Sequence, residues 1–253
     1  MFPIIPANSA AESGNQEGIF GFGYPDASRT NITNLVSDAG VVSSDVAGVG
    51  TARRGQGACS FGEDEGIFGF GTTGSNVSIT NLVSNAGVVA SDQAATTGTA
   101  RSYPAACEFG EDEGIFGFGT TGTKVSMTNL ISNAGVVASG TAGVGTAREA
   151  PAACSYGQDK GIFGFGFNGG GVCDITNLVS NTGVVVSDVT GVGTARNYLA
   201  ACEFGGDQGI FGFGTTGSWT AVTNLVSNVG VVATDQAATT GSARYLLAAC
   251  SFN

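Results

Sequence analysis

Ile115-Phe116-Gly117-Phe118-Gly119 is the third of five copies of one pentapeptide, the others beginning at Ile19, Ile67, Ile162 and Ile210. Successive copies are 48, 48, 47 and 48 residues apart. A fixed period of this length marks a repeat architecture in which each unit is one supersecondary element. Such a unit cannot bury its apolar face alone and must stack on its neighbours. The chain therefore reads as a leader, residues 1–16, followed by five like units over residues 17–253. No Pro-rich or charged linker interrupts the series, so one domain is expected.

Within the unit spanning residues 101–148, the small apolar run Ala105-Ala106-Cys107-Glu108-Phe109 meets the polar Glu111-Asp112-Glu113-Gly114 and then the pentapeptide. Two β-favouring runs across a short polar, Gly-flanked segment predict a hairpin. Ser126 to Ser132 reads as a third strand, Asn133-Ala134-Gly135 as a turn and Val136 to Ser139 as a fourth strand. No window carries a helical stripe. The expected fold is all-β, a five-bladed β-propeller with four antiparallel strands per blade. The C-terminal strand, Tyr245 to Phe252, carries Leu246, Leu247, Cys250 and Phe252, whereas the matching Ala10-Ala11-Glu12 offers only alanines for packing. Closure of the ring by the C-terminal strand is therefore expected, with residues 1–16 left as an arm.

Composition narrows the function. Forty-three glycines without a three-residue period exclude collagen, and 42% apolar against 11% charged residues argues against disorder. A net charge of −11 argues against nucleic acid and anionic membrane surfaces as partners. No apolar run has the length of a membrane span, so no insertion is expected. The leader has no basic n-region and reads as a poor signal peptide. Five of the six cysteines, Cys59, Cys107, Cys154, Cys202 and Cys250, share one repeat position, and Cys173 stands apart. An odd set of equivalent thiols does not pair off, which predicts reduced cysteines and assembly in a cytoplasm.

Each unit carries one arginine before its inner strand: Arg53, Arg101, Arg148, Arg196 and Arg244. They read as structural, their donors tying loop carbonyls or the aspartates Asp45, Asp92, Asp188 and Asp235. The third copy has Gly140 at the aspartate position yet keeps Arg148, which favours carbonyl partners. The cysteines lack C-x-x-C spacing and the chain has no histidine, so neither metal nor cofactor is expected. The acidic turns Glu63-Asp64-Glu65 and Glu111-Asp112-Glu113 lose charge in later copies and read as solvated turns rather than Ca²⁺ ligands. The recurring Thr-Asn pairs, such as Thr80-Asn81 and Thr128-Asn129, imply a backbone hydrogen bond in every unit.

The copies differ in two places, after Phe-Gly and after the arginine. In an up-and-down blade these connections share one face, where Tyr24, Tyr103, Tyr198, Trp219 and Tyr245 form a candidate binding surface for sugar or protein. The order Thr-Ala-Arg, small apolar run, turn, Phe-Gly strand, loop and Gly-containing turn resembles the kelch repeat across all five copies. The chain departs from it in having Gly-Phe-Gly in place of a double glycine and in lacking the later Tyr and Trp. The near-identical Gly-Val-Gly-Thr-Ala-Arg and Thr-Asn-Leu-Val-Ser-Asn segments resemble the repetitive kelch-like virion proteins of tailed bacteriophages. That resemblance implies a non-enzymatic structural or adhesive protein of a phage particle, a capsid or tail decoration assembled in the host cytoplasm. Its implied partners are other virion proteins, with residues 1–16 as a docking arm, and a host-surface glycan or protein. The alternative is a cytoplasmic, lectin-like or kelch-type interaction module unrelated to viruses.

Overall fold

In the last four units the run before the turn and the pentapeptide after it pair as an antiparallel hairpin, and the Thr-Asn segment adds a third strand; among the described residues the first unit pairs only the pentapeptide and the Thr-Asn segment. The computed structural model describes residues 17–25, 27–62, 64–93, 98–236 and 241–251. The expected arm 1–16, Glu63 and Phe252 lie outside these residues. Every element among them is a strand. The first sheet pairs β1 (Gly18–Gly23) with β2 (Thr30–Val36). The second holds β3 (Gly57–Phe61), β4 (Glu65–Gly69) and β5 (Thr80–Val83). The third holds β6 (Ala105–Phe109), β7 (Glu113–Gly117) and β8 (Thr128–Ile131). The fourth, β9 (Ala152–Tyr156), β10 (Lys160–Phe167) and β11 (Val172–Val179), has longer strands around the Asn168-Gly169-Gly170-Gly171 loop. The fifth holds β12 (Ala200–Phe204), β13 (Gln208–Gly212) and β14 (Thr223–Val226). No helix among the described residues is long and apolar enough to cross a membrane.

The four-stranded unit is corrected, among the described residues, to three strands in four units and two in the first. The fourth segment touches the third strand only at isolated bridges, Ile131↔Val137 and Thr128↔Thr141 in unit three. Three residues separate Ile131 from Thr128 and four separate Val137 from Thr141. One extra residue therefore bulges out and breaks the ladder. Asn129 Nδ2 fills the break by donating to the Ala138 carbonyl at 2.9 Å. The same offset recurs in the other four units, for example at Val83↔Val89 and Thr80↔Gln93.

Neighbouring sheets pack by inserting a ring into a glycine. A Cβ on Gly69 would lie 2.5 Å from Phe116, one on Gly117 2.6 Å from Phe163 and one on Gly164 2.7 Å from Phe211. The glycine thus makes the hole that the next unit's phenylalanine fills, and these rings are at most 5% exposed. Edge-to-face pairs follow, Phe70–Phe116 at 5.0 Å, Phe118–Phe163 at 5.2 Å and Phe165–Phe211 at 5.2 Å. The two outermost faces lack this fit: Phe20 is 41% exposed, and a Cβ on Gly212 would meet only a Thr223 methyl at 3.5 Å.

Residues of all five units, together with Ala249, Cys250 and Ser251, line one cavity of about 380 Å³. Cys250 Sγ lies 3.8 Å from the Cβ position of Gly18, so the C-terminal segment approaches the start of β1. Among the described residues that segment forms no strand ladder with β1. Its side chains supply the approach.

Candidate functional site

The repeat arginines join adjacent units. Arg148 Nε donates to the Phe165 carbonyl at 2.7 Å and Nη1 to the Thr146 carbonyl at 3.2 Å, while its guanidinium stacks 3.8 Å from the Phe118 ring of the preceding unit. Phe165 has φ of 63°, a left-handed conformation that leaves its carbonyl bonded to the arginine. Arg53, Arg101 and Arg196 repeat this arrangement, and all four arginines are fully buried. Burial lowers each of these guanidinium pKa values to about 10. Arg244 stacks on Phe213 at 3.6 Å but is exposed.

The aspartates serve a neighbouring role. Asp92 accepts from the Thr51 backbone N–H and hydroxyl and from Asn81 Nδ2, and sits 4.0 Å from Arg53 Nη1. Burial acts to raise its pKa, but these hydrogen bonds and Arg53 hold it below the ordinary carboxylate value. Asp188 and Asp235 bind Thr146 and Thr194 in the same way. Asn81, Asn177 and Asn224 each also bind a backbone carbonyl of the fourth segment.

The two variable segments are joined within each of the last four units. Bridges link Arg54 to Thr72, Ser102 to Thr120, Glu149 to Phe167 and Asn197 to Thr215. A second set of bonds links the units: Tyr103 N donates to Gly55 O at 2.6 Å, Ala150 N to Tyr103 O at 3.0 Å, Tyr198 N to Ala150 O at 3.2 Å and Leu246 N to Tyr198 O at 3.0 Å. The five residues of this chain share positive φ and gather side chains from Tyr103 to Tyr245 into one group. Tyr103 and Tyr198 meet edge to face at 5.5 Å, Tyr198 and Tyr245 at 6.3 Å, and Tyr245 stacks on Trp219 at 5.5 Å. Burial pushes the Tyr198 hydroxyl up to about 12, with Tyr103 and Glu149 adding to the shift. Four of the five aromatics expected on this face thus form one contiguous group. Tyr24 is set apart, 4.2 Å beneath the Arg54 guanidinium.

Arg29, Arg54 and the Lys124–Glu149 ion pair at 3.0 Å also belong to this end. The sequence reading of this face weighed only its aromatics and so missed these charged side chains, although Arg54 and Glu149 directly follow the repeat arginines.

The opposite end of the inner strands carries acids. Ser60, Glu108, Ser155, Glu203 and Ser251 occupy one repeat position and line the shared cavity. Burial raises Glu108 to about 7, with the charges of Glu203 and Asp112 adding and a Ser60 hydrogen bond opposing. Glu203 is raised by burial and by Asp207. The six cysteines are free, and burial drives Cys59, Cys107 and Cys154 far above the usual thiol range. These protonated thiols are poor nucleophiles and poor metal ligands. No group of histidine, cysteine, aspartate or glutamate among the described residues has metal-site geometry.

Comparison with protein-family models and with curated proteins finds no match to this chain.

Proposed function

We propose that this chain is a non-enzymatic adhesive protein that binds a surface glycan through its aromatic end. The carrying observation is the continuous group of Tyr103, Tyr198, Tyr245 and Trp219, in which Trp219 remains 62% exposed and Tyr245 39% exposed. Aromatic rings offer flat apolar area to the C–H face of a sugar while Tyr O–H and Trp N–H groups serve its hydroxyls. Units locked by buried arginines keep that surface preorganised, which lowers the ordering cost of binding.

In this reading the protein decorates a phage capsid or tail, with other virion proteins as partners and a host-surface glycan as ligand. Support for that setting is the near-identity of the repeats, and detection of the chain in purified particles tests it. The same aromatic end on an interaction module outside viruses is the alternative. A five-bladed β-propeller closed by the C-terminal segment fits the reading, because the cavity is lined from every unit and Cys250 approaches Gly18.

Trp219 is the only tryptophan, so its emission reports directly on the face. Titration with soluble polysaccharides is expected to give a saturable change in that emission, lost in Tyr245→Ala. An unchanged emission across a broad glycan set, with no binding by affinity electrophoresis, would overturn the reading.

A further inference from the structure

We infer that the bound glycan is acidic and that Tyr24, Arg29 and Arg54 form the subsite for its carboxylate or sulfate group, an inference that rests on the glycan-binding reading. The chain has nine basic residues. Arg53, Arg101, Arg148 and Arg196 are buried on carbonyls, and Arg244 lies over Phe213. Lys124 pairs with Glu149 and Lys160 with Asp159. The remaining two, Arg29 and Arg54, converge on one ring, their guanidinium carbons 6.0 and 4.2 Å from the Tyr24 centroid. Among the described residues neither has a carboxylate at ion-pair distance. The Nε atoms of both are buried without a hydrogen-bond partner.

A buried donor without an acceptor is costly, and two guanidiniums around one ring leave a local excess of positive charge. An anion bound beside them relieves both costs. The planar guanidinium matches carboxylate and sulfate oxygens in bidentate fashion, a geometry that a lysine ammonium lacks. Tyr24, 46% exposed, offers the adjoining flat face for the sugar ring. The subsite adjoins the aromatic group through the residue after Arg54: Gly55 O accepts from Tyr103 N at 2.6 Å, and the Gly55 Cβ position lies 2.9 Å from the Tyr103 ring. The net charge of −11 gives the protein no general attraction for polyanions, so selectivity must come from this local pair.

The test compares polygalacturonate with its fully methyl-esterified form and dextran sulfate with dextran, using affinity electrophoresis and Trp219 emission. Polyacrylate serves as a polyanion without sugar, and sodium sulfate as a competitor. At least one acidic polymer should bind about ten-fold or more tightly than its neutral counterpart, with an advantage that shrinks as salt rises. Preference between the two acidic polymers identifies carboxylate or sulfate as the group held. Arg29→Gln/Arg54→Gln should abolish the advantage of acidic over neutral polymers; the single variants carry the comparison if the double one loses stability. Equal binding of acidic and neutral polymers, selectivity that survives both substitutions, or polyacrylate binding as tightly as the acidic sugars would each overturn the inference alone. Absence of binding by every polymer would instead remove the glycan-binding reading beneath it.

Discussion

Arg148 is worth more to this protein as a joint than as a charge. Its donors hold two carbonyls and its flat face covers Phe118 of the preceding unit. Arg148→Ala would leave buried acceptors unpaired and remove a desolvated cation–π contact, a loss of about 2–4 kcal/mol. Arg148→Lys keeps the charge but not the fork or the stack, and should recover less than half of that loss. Urea midpoints measured at constant m-value check both changes. Glu108 supplies a pH signature of the opposite kind. Its carboxyl is raised to about 7 by burial first, so the folded state binds more protons than the unfolded state between the ordinary carboxylate value and pH 7. Stability is therefore expected to fall as pH rises through that window, by ~1–3 kcal/mol after allowance for partial solvent screening. Glu108→Gln should flatten this part of the profile and raise stability at pH 8. An unchanged profile would place Glu108 in water.

At the scale of elements, the hairpin of each unit was legible because apolar runs, acidic turn and pentapeptide alternate without ambiguity. Carbonyl partners were expected from the Gly140 position, but the pairing behind that expectation is corrected: Arg53, Arg148 and Arg196 face Asp92, Asp188 and Asp235, and among the described residues it is Arg101 that has no aspartate beside it. The loss of the fourth strand was not legible. Val136-Val137 has strong β character, and the single extra residue that breaks its register shows only when the pairing is known. Convergence of Arg29 and Arg54 on Tyr24 was hidden for a different reason: the two arginines stand 25 residues apart in separate loops, and only the fold brings them to one ring. The ring-in-glycine packing makes a paired prediction. Gly164→Ala forces a methyl toward the Phe211 ring and should cost about 1–3 kcal/mol. Gly212→Ala occupies the same repeat position without a ring opposite and should be neutral or mildly stabilising. Thermal melts of the two variants separate local strand preference from packing between sheets.

For the whole molecule, rigidity comes from repetition of one interface, and the chain ends decide how the series finishes. Cys250 stands 3.8 Å from the Cβ position of Gly18, so Gly18→Cys should form an intramolecular disulfide with Cys250 under mild oxidation. A monomer with faster non-reducing mobility is the expected product, and dimers alone would place the two ends apart. Hydrogen–deuterium exchange with and without a bound acidic polysaccharide tests the central claim most directly. Protection is expected at residues 24–29, 54–56, 102–104, 197–199 and 218–220, with the turns at 111–113 and 158–160 unchanged. Protection confined to those acidic turns would contradict the account and move the binding surface to the opposite end of the repeats.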